Sequence, residues 1–158
     1  MANRYLLPLY KTLYDRDFSY SDFDQRMEMQ KAIYLLQDMG VPVGDYGFIW
    51  YLHGPYSQSL QDDMYYEDGR DGAKLTLFKE YTERIAQLHD VIHSKKNRSY
   101  SVSHWVECLA SLHYLRKNLL SFNATEEEAV QELENRKNHL KDRDSNIAAY
   151  RLVEGLFH

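Results

Sequence analysis

All three prolines of this 158-residue chain, Pro8, Pro42 and Pro55, fall within the first 55 positions. Proline removes a backbone donor and clashes with the preceding helical turn, so it confines regular helix to its own flanks. Beyond Pro55 only scattered glycines interrupt helix formation. The chain therefore reads as an irregular, turn-containing first part, residues 1–72, followed by a helical second part, residues 73–158. Together they make one mainly α domain, a size that buries enough surface to need no metal or disulfide staple.

In the first part, Pro8 can open a short helix to about Asp15, with Leu6, Tyr10, Leu13 and Tyr14 inward. Ser21 is a good N-cap for a second helix running to Met39, where Gly40 stops it. Met29, Ile33 and Leu36 mark its buried stripe. Val41 to Tyr46 is a turn region. Phe48 to Leu52 alternates with apolar residues on both faces, which predicts a short strand covered on both sides and ended by Gly54-Pro55. Ser57 caps a helix to about Tyr66, and Asp68 to Gly72 is a loop.

The second part has cleaner periodicity. Phe78, Tyr81, Ile85, Leu88 and Ile92 predict a helix over Thr76–Ser94. Trp105, Leu109, Leu112, Arg116 and Leu119 predict another over Val102–Leu120. Thr125-Glu126-Glu127-Glu128 is a capping box opening a helix to about Leu140. Asp144 or Ser145 caps a last helix to about Leu156. Short connections between four helices suggest antiparallel neighbours in a bundle.

Charge and cysteine use narrow the function classes. The net charge is −5, and residues 1–72 carry six basic against twelve acidic side chains. An acidic first half attracts basic partners and repels a phosphate backbone. Basic surface belongs to the second half, around Lys95, Lys96 and Arg98. No run approaches the roughly 18 apolar residues of a membrane span. Leu6-Leu7-Pro8-Leu9 is too short for a secretory leader. A single cysteine, Cys108, forms no internal disulfide and fits the reducing cytoplasm.

No pattern announces catalysis, a metal or a cofactor. His89 and His93 stand four apart on a helix, but Asp90 follows the first histidine where zinc proteases place Glu, and no third ligand is evident. They read as two half-exposed residues flanking the Ile85/Ile92 seam. Cys108 lies inside an apolar run and reads as packing, and His104 and His113 border the same stripe. Glu126 to Glu128 serve a helix N-terminus. Tyr65 and Tyr66 share their segment with Asp62, Asp63, Glu67 and Asp68, which disfavours base stacking and favours protein contact.

The segment that stands apart is Trp50-Tyr51-Leu52-His53-Gly54-Pro55-Tyr56-Ser57. A Gly-Pro turn there can present the polar tips of Tyr51, His53 and Tyr56 on a rigid support. It can equally be a folding turn whose aromatics pack on the Met29–Leu36 helix.

Upstream lies Arg26-Met27-Glu28-Met29-Gln30-Lys31-Ala32-Ile33-Tyr34-Leu35-Leu36. This block resembles the R-x-x-L-Q-K-x-x-Y-L-L helix of the YwgA-like proteins, which is followed by an aromatic strand and W-Y-x-x-G-P-Y-S. More distantly it resembles the SocA-type antitoxin domain, also called Panacea. The likeness covers about residues 22–67. Met29 stands where Leu is usual, and Glu28 stands where Lys is common. The resemblance implies a winged-helix-like N-terminal portion with a short β-strand or hairpin, packed here on a C-terminal helical bundle. It implies no catalysis and no cofactor, but direct binding to a partner protein, as in antitoxin or phage-defence settings.

The expected contact residues are Tyr51, His53, Gly54, Pro55, Tyr56, Ser57, Asp62, Asp63 and Tyr66. The expected partner is a protein, such as a basic toxin or defence component. The alternative is a winged-helix DNA regulator reading bases with the Ser57–Tyr66 helix. Its Asp62 and Asp63 oppose that, since recognition helices present Arg, Lys, Asn or Gln. A hydrolase or nuclease built on His53, His89 and His93 ranks third. A homodimer along the Thr76–Ser94 helix is compatible with its apolar seam.

Overall fold

The computed structural model describes residues 3–71 and 74–157. The expected boundary between residues 72 and 73, and the Gly72 end of the loop, lie outside the described residues. Seven α-helices and one small sheet follow in order: α1 (Leu6–Tyr14), α2 (Phe23–Asp38), β1 (Ile49–Tyr51), β2 (Gly54–Tyr56), α3 (Gln58–Glu67), α4 (Lys79–His93), α5 (Val102–Tyr114), α6 (Glu126–Arg136) and α7 (Arg143–Leu156).

Two central helices organise the core. On α2 the ten residues Met27 to Leu36 are all buried, and on α5 burial is nearly unbroken from Ser103 to Leu112. A helix buried all round is an interior helix, so α2 lacks the one-sided stripe its spacing predicts. The pair packs together, with α1, α3, α4 and the hairpin around α2, and α4, α6 and α7 around α5. One apolar cluster results, drawing Leu9, Ile33 and Leu60 from the first part and Leu88, Trp105 and Leu133 from the second.

Burying α2 also buries its polar residues, and each takes a specific partner. Glu28 accepts from Tyr10 Oη at 2.7 Å and Ser103 Oγ at 2.8 Å, and pairs with Arg16. Tyr14 donates to its main-chain oxygen at 2.8 Å. A lysine at position 28 would repel Arg16 and could not accept these protons. A carboxylate at position 28 therefore has a local cause.

Several element ends differ from expectation. The α2 cap is Asp22, whose carboxylate accepts from Gln25 N, while Ser21 bonds Ser19. The carboxylate at the positive end of the helix dipole outcompetes the hydroxyl. For α7 the cap is Asp142 rather than Asp144 or Ser145. Ser57 and Thr125 cap α3 and α6 as expected.

Phe78 is no seam residue: it precedes α4 and is 77% exposed. Past Tyr114 the helix widens into a π-helical turn over Leu115–Leu119. That turn shifts the phase, leaving Leu119 exposed and directing Arg116 to Tyr150 Oη and the Ala124 carbonyl. Helix α6 stops at Arg136, because Lys137 adopts an extended conformation and turns inward.

The sheet departs most from expectation. Gly54-Pro55 opens a second strand, pairing Ile49 with Tyr56, Trp50 with Pro55 and Tyr51 with Gly54. Only one face of β1 is covered: Trp50 is half-buried, whereas Ile49 and Tyr51 are 61% and 52% exposed. Leu52 and His53 form the turn. Gly54 takes φ +92°, a left-handed conformation that lets an ordinary turn close a hairpin.

Candidate functional site: the clamped hairpin

The hairpin is held chiefly by its main chain. Gln30 on α2 donates Nε2–H to the Ser57 carbonyl and accepts from Ser57 N–H, both at 2.9 Å, so its amide acts like a strand edge. The next residue, Lys31, donates Nζ to the Pro55 carbonyl at 2.9 Å. From the other side Lys137 donates to the Leu52 carbonyl and lies 4.8 Å from the Trp50 ring centre. The segments Arg26–Leu36 and Trp50–Ser57 thus meet in space, and the Gln-Lys pair of one grips the backbone of the other.

Beneath the hairpin lies a buried ionic cluster. Lys31, Lys137 and Glu107 are each 3% exposed or less. Glu107 on α5 faces Lys137 Nζ at 3.6 Å, His139 Nε2 at 2.8 Å and His53 Nδ1 at 3.9 Å. At an effective dielectric of ~20 an ion pair at this range attracts by about 4 kcal/mol, comparable to the several kcal/mol each ion loses on leaving water. Such a cluster adds little net stability. It becomes costly when one member is removed, and so it fixes geometry.

Burial pulls the Lys31 amine down to about 7, helped by Lys137 and opposed by Glu107. The same cause lowers Lys137, with Glu107 opposing. Burial also lowers His53.

Close packing explains the glycine. A Cβ on Gly54 would come closer than 3.0 Å to Ser111 Oγ on α5, nearer than real side chains approach. Ser111 Oγ is itself buried without a hydrogen-bond partner.

Above the clamp opens a cleft of about 240 Å³ lined by Phe23, Arg26, Met27, Gln30, Lys31, Tyr51, Leu52, His53, Tyr56 and Gln61. Its rim is apolar and open: Phe23 is 51% and Leu52 72% exposed. Tyr51 and Tyr56 pack with ring centres 5.2 Å apart and form a ridge between this cleft and a second one over Gly47, Ile49 and Ser57 to Ser59.

The expected contact residues therefore separate into groups. Tyr51, His53 and Tyr56 converge on the cleft. Gly54, Pro55 and Ser57 are buried and belong to the support. Asp63 is taken by Tyr46 Oη at 2.7 Å. Asp62 accepts from Gln58 on the exposed side of α3, and Tyr66 stacks under Arg70. Sequence reasoning missed Phe23, Arg26, Lys31, Glu107, Lys137 and His139. Arg26 and Lys31 belong to the Arg26–Leu36 block, whereas Phe23 lies just before it. Glu107, Lys137 and His139 come from the second part and carry no local signal.

Cys108 is buried, its thiol pushed up chiefly by burial. His113 stacks on Phe157 and bonds Asp38 at 2.9 Å. His104 stays exposed. No described helix is long and apolar enough to cross a membrane. Neither a family model, nor a curated protein, nor a solved structure matches the chain.

Proposed function

We propose that the chain is a non-enzymatic binding module, antitoxin-like in the sense that it acts by holding a partner protein on the hairpin face. The observation that carries this is the contrast between support and display. The hairpin and its Ser57 cap are fixed by three buried polar side chains, yet the hairpin exposes Ile49, Tyr51 and Leu52, with Phe23 beside them. Large apolar side chains held rigidly in water mark contact sites, because little conformational entropy remains to be lost on binding.

The partner that fits inserts one large apolar side chain into the cleft and lays a basic flank along α3, where Asp62, Asp68 and Asp71 are exposed. In this reading α2, the hairpin and α3 are the winged-helix-like portion, α4 to α7 are the bundle beneath, and the protein works in the cytoplasm. The outer face of α3 carries no Lys or Arg, which leaves it unsuited to phosphate or base contact.

The test is capture from the source cells with tagged wild type and with Leu52→Asp, followed by mass spectrometry and an absorbance ratio for nucleic acid. A stoichiometric basic protein retained by wild type and released by Leu52→Asp supports the reading. Nucleic acid as the only retained species, or a partner held equally by both proteins, overturns it.

A further inference from the structure

We propose that Asp15, His89 and His93 form a binding site for one divalent transition-metal ion of the zinc class. His89 and His93 stand one helical turn apart on the same face of α4, with ring centres 4.4 Å apart. The third group comes from a different element. Helix α1 ends at Tyr14, and Asp15 takes φ 60° and ψ 28° as its C-cap. It is the one non-glycine among the described residues with positive φ, a conformation Asp tolerates better than most residues.

That turn carries its carboxylate to α4, where Oδ2 lies 2.9 Å from His89 Nε2 and 3.8 Å from His93 Nε2. One ligand atom from each residue falls within 4.8 Å of the other two. Ligands around a tetrahedral zinc stand about 3.3 Å apart, given bonds of roughly 2.0–2.1 Å, so modest side-chain rotation closes the set.

The surroundings favour an ion. The three side chains are 66%, 36% and 26% exposed, so the site has an open path and room for water as a further ligand. The Leu13 carbonyl oxygen, 2.6 Å from His93 Nε2, offers another donor at the same place. Ligation through His93 Nε2 takes the tautomer with the ring proton on Nδ1, so the proton now shared with that carbonyl moves to the other ring nitrogen through water. Two imidazoles with one carboxylate suit Zn²⁺, Co²⁺ or Ni²⁺ rather than Mg²⁺ or Ca²⁺.

A second triad, His53, Glu107 and His139, meets the same distance criterion. There the carboxylate already faces the buried Lys137 ammonium at 3.6 Å. A divalent cation is repelled from that position.

The experiment titrates Zn²⁺ into chelator-stripped full-length protein against a chromophoric competitor, and records the visible spectrum with Co²⁺. Asp15→Asn and His89→Gln are the test variants, with His139→Ala as the control and circular dichroism to verify folding. Asn preserves the left-handed turn, and His89 is partly exposed, so both variants should fold. The expected result is one equivalent bound by wild type and by His139→Ala. Affinity falls on the order of tenfold or more in each test variant, with loss of the Co²⁺ absorption. Zn²⁺ should also raise the melting temperature of wild type and of His139→Ala but not of the two test variants, since the ion ties α1 to α4. Absence of micromolar binding overturns the proposal. So does binding unchanged in both test variants, or binding lost in His139→Ala.

Discussion

Replacing Gly54 with alanine tests the account of the hairpin most sharply. Two separable costs arise. The backbone at φ +92° is strained for any L-residue, by about 1–2 kcal/mol. The new methyl also meets Ser111 Oγ, which is fully buried and cannot swing into solvent. Overpacking of this kind costs about 1–3 kcal/mol. The sum is about 3 kcal/mol, or a fall of roughly 6–12 °C in melting temperature for a chain of this length.

Ser111→Ala removes the colliding oxygen and leaves Ser111 Cβ at 3.6 Å, an ordinary contact. On its own Ser111→Ala should be neutral or stabilising by up to ~1 kcal/mol, because it deletes a buried hydroxyl that has no partner. In that background Gly54→Ala should cost only about 1–2 kcal/mol. Urea unfolding of the four proteins closes the double-mutant cycle. A coupling below ~0.5 kcal/mol would refute the clash, and a cost below ~1 kcal/mol for Gly54→Ala alone would refute the hairpin geometry itself.

Lys31→Met should flatten the pH dependence of stability. Between about pH 7 and pH 10.5 the unfolded chain holds a proton that folded Lys31 has shed, so wild-type stability rises with pH by up to ~1.4 kcal/mol per pH step. Below that window both states are protonated and the increment is gone. Urea midpoints at pH 7, 8 and 9 that run parallel in the two proteins would contradict this. Glu107→Gln leaves the buried Lys137 ammonium without its carboxylate and should cost about 3–5 kcal/mol, seen as a large drop in melting temperature. Leu52→Asp should stay within ~0.5 kcal/mol of wild-type stability, since the side chain is 72% exposed, while losing the partner.

Much of the helical frame was legible because its signals are local. Ser57 and Thr125 cap where capping chemistry places them, and Leu88 and Leu109 fall on the seams that their spacing marks. The misreadings arise where tertiary contacts decide. Helical periodicity carries through Arg116 and Leu119, yet a π-turn there redirects Arg116 toward α7. Gln30, Lys31 and Lys137 look like surface residues by type, and only the hairpin's backbone gives them a reason to be inside. Asp15 escaped notice as a partner for His89 because 74 residues separate them in sequence. Tyr51, His53 and Tyr56 were recognisable because a dense aromatic segment around Gly-Pro is uncommon in itself.

The clamp reads main chain, not side chains. Gln30 touches the N–H and C=O of Ser57, Lys31 the carbonyl of Pro55, and Lys137 the carbonyl of Leu52. Any hairpin that keeps Gly54, Pro55 and the Ser57 cap satisfies these contacts equally. Positions 49, 51 and 52, whose side chains are exposed, are thereby released from the demands of folding. Their identities can be exchanged one at a time, or as a set, over an unchanged frame. Such a chain is organised as a holder with a replaceable tip, in which the exposed apolar surface can change without redesign of the core.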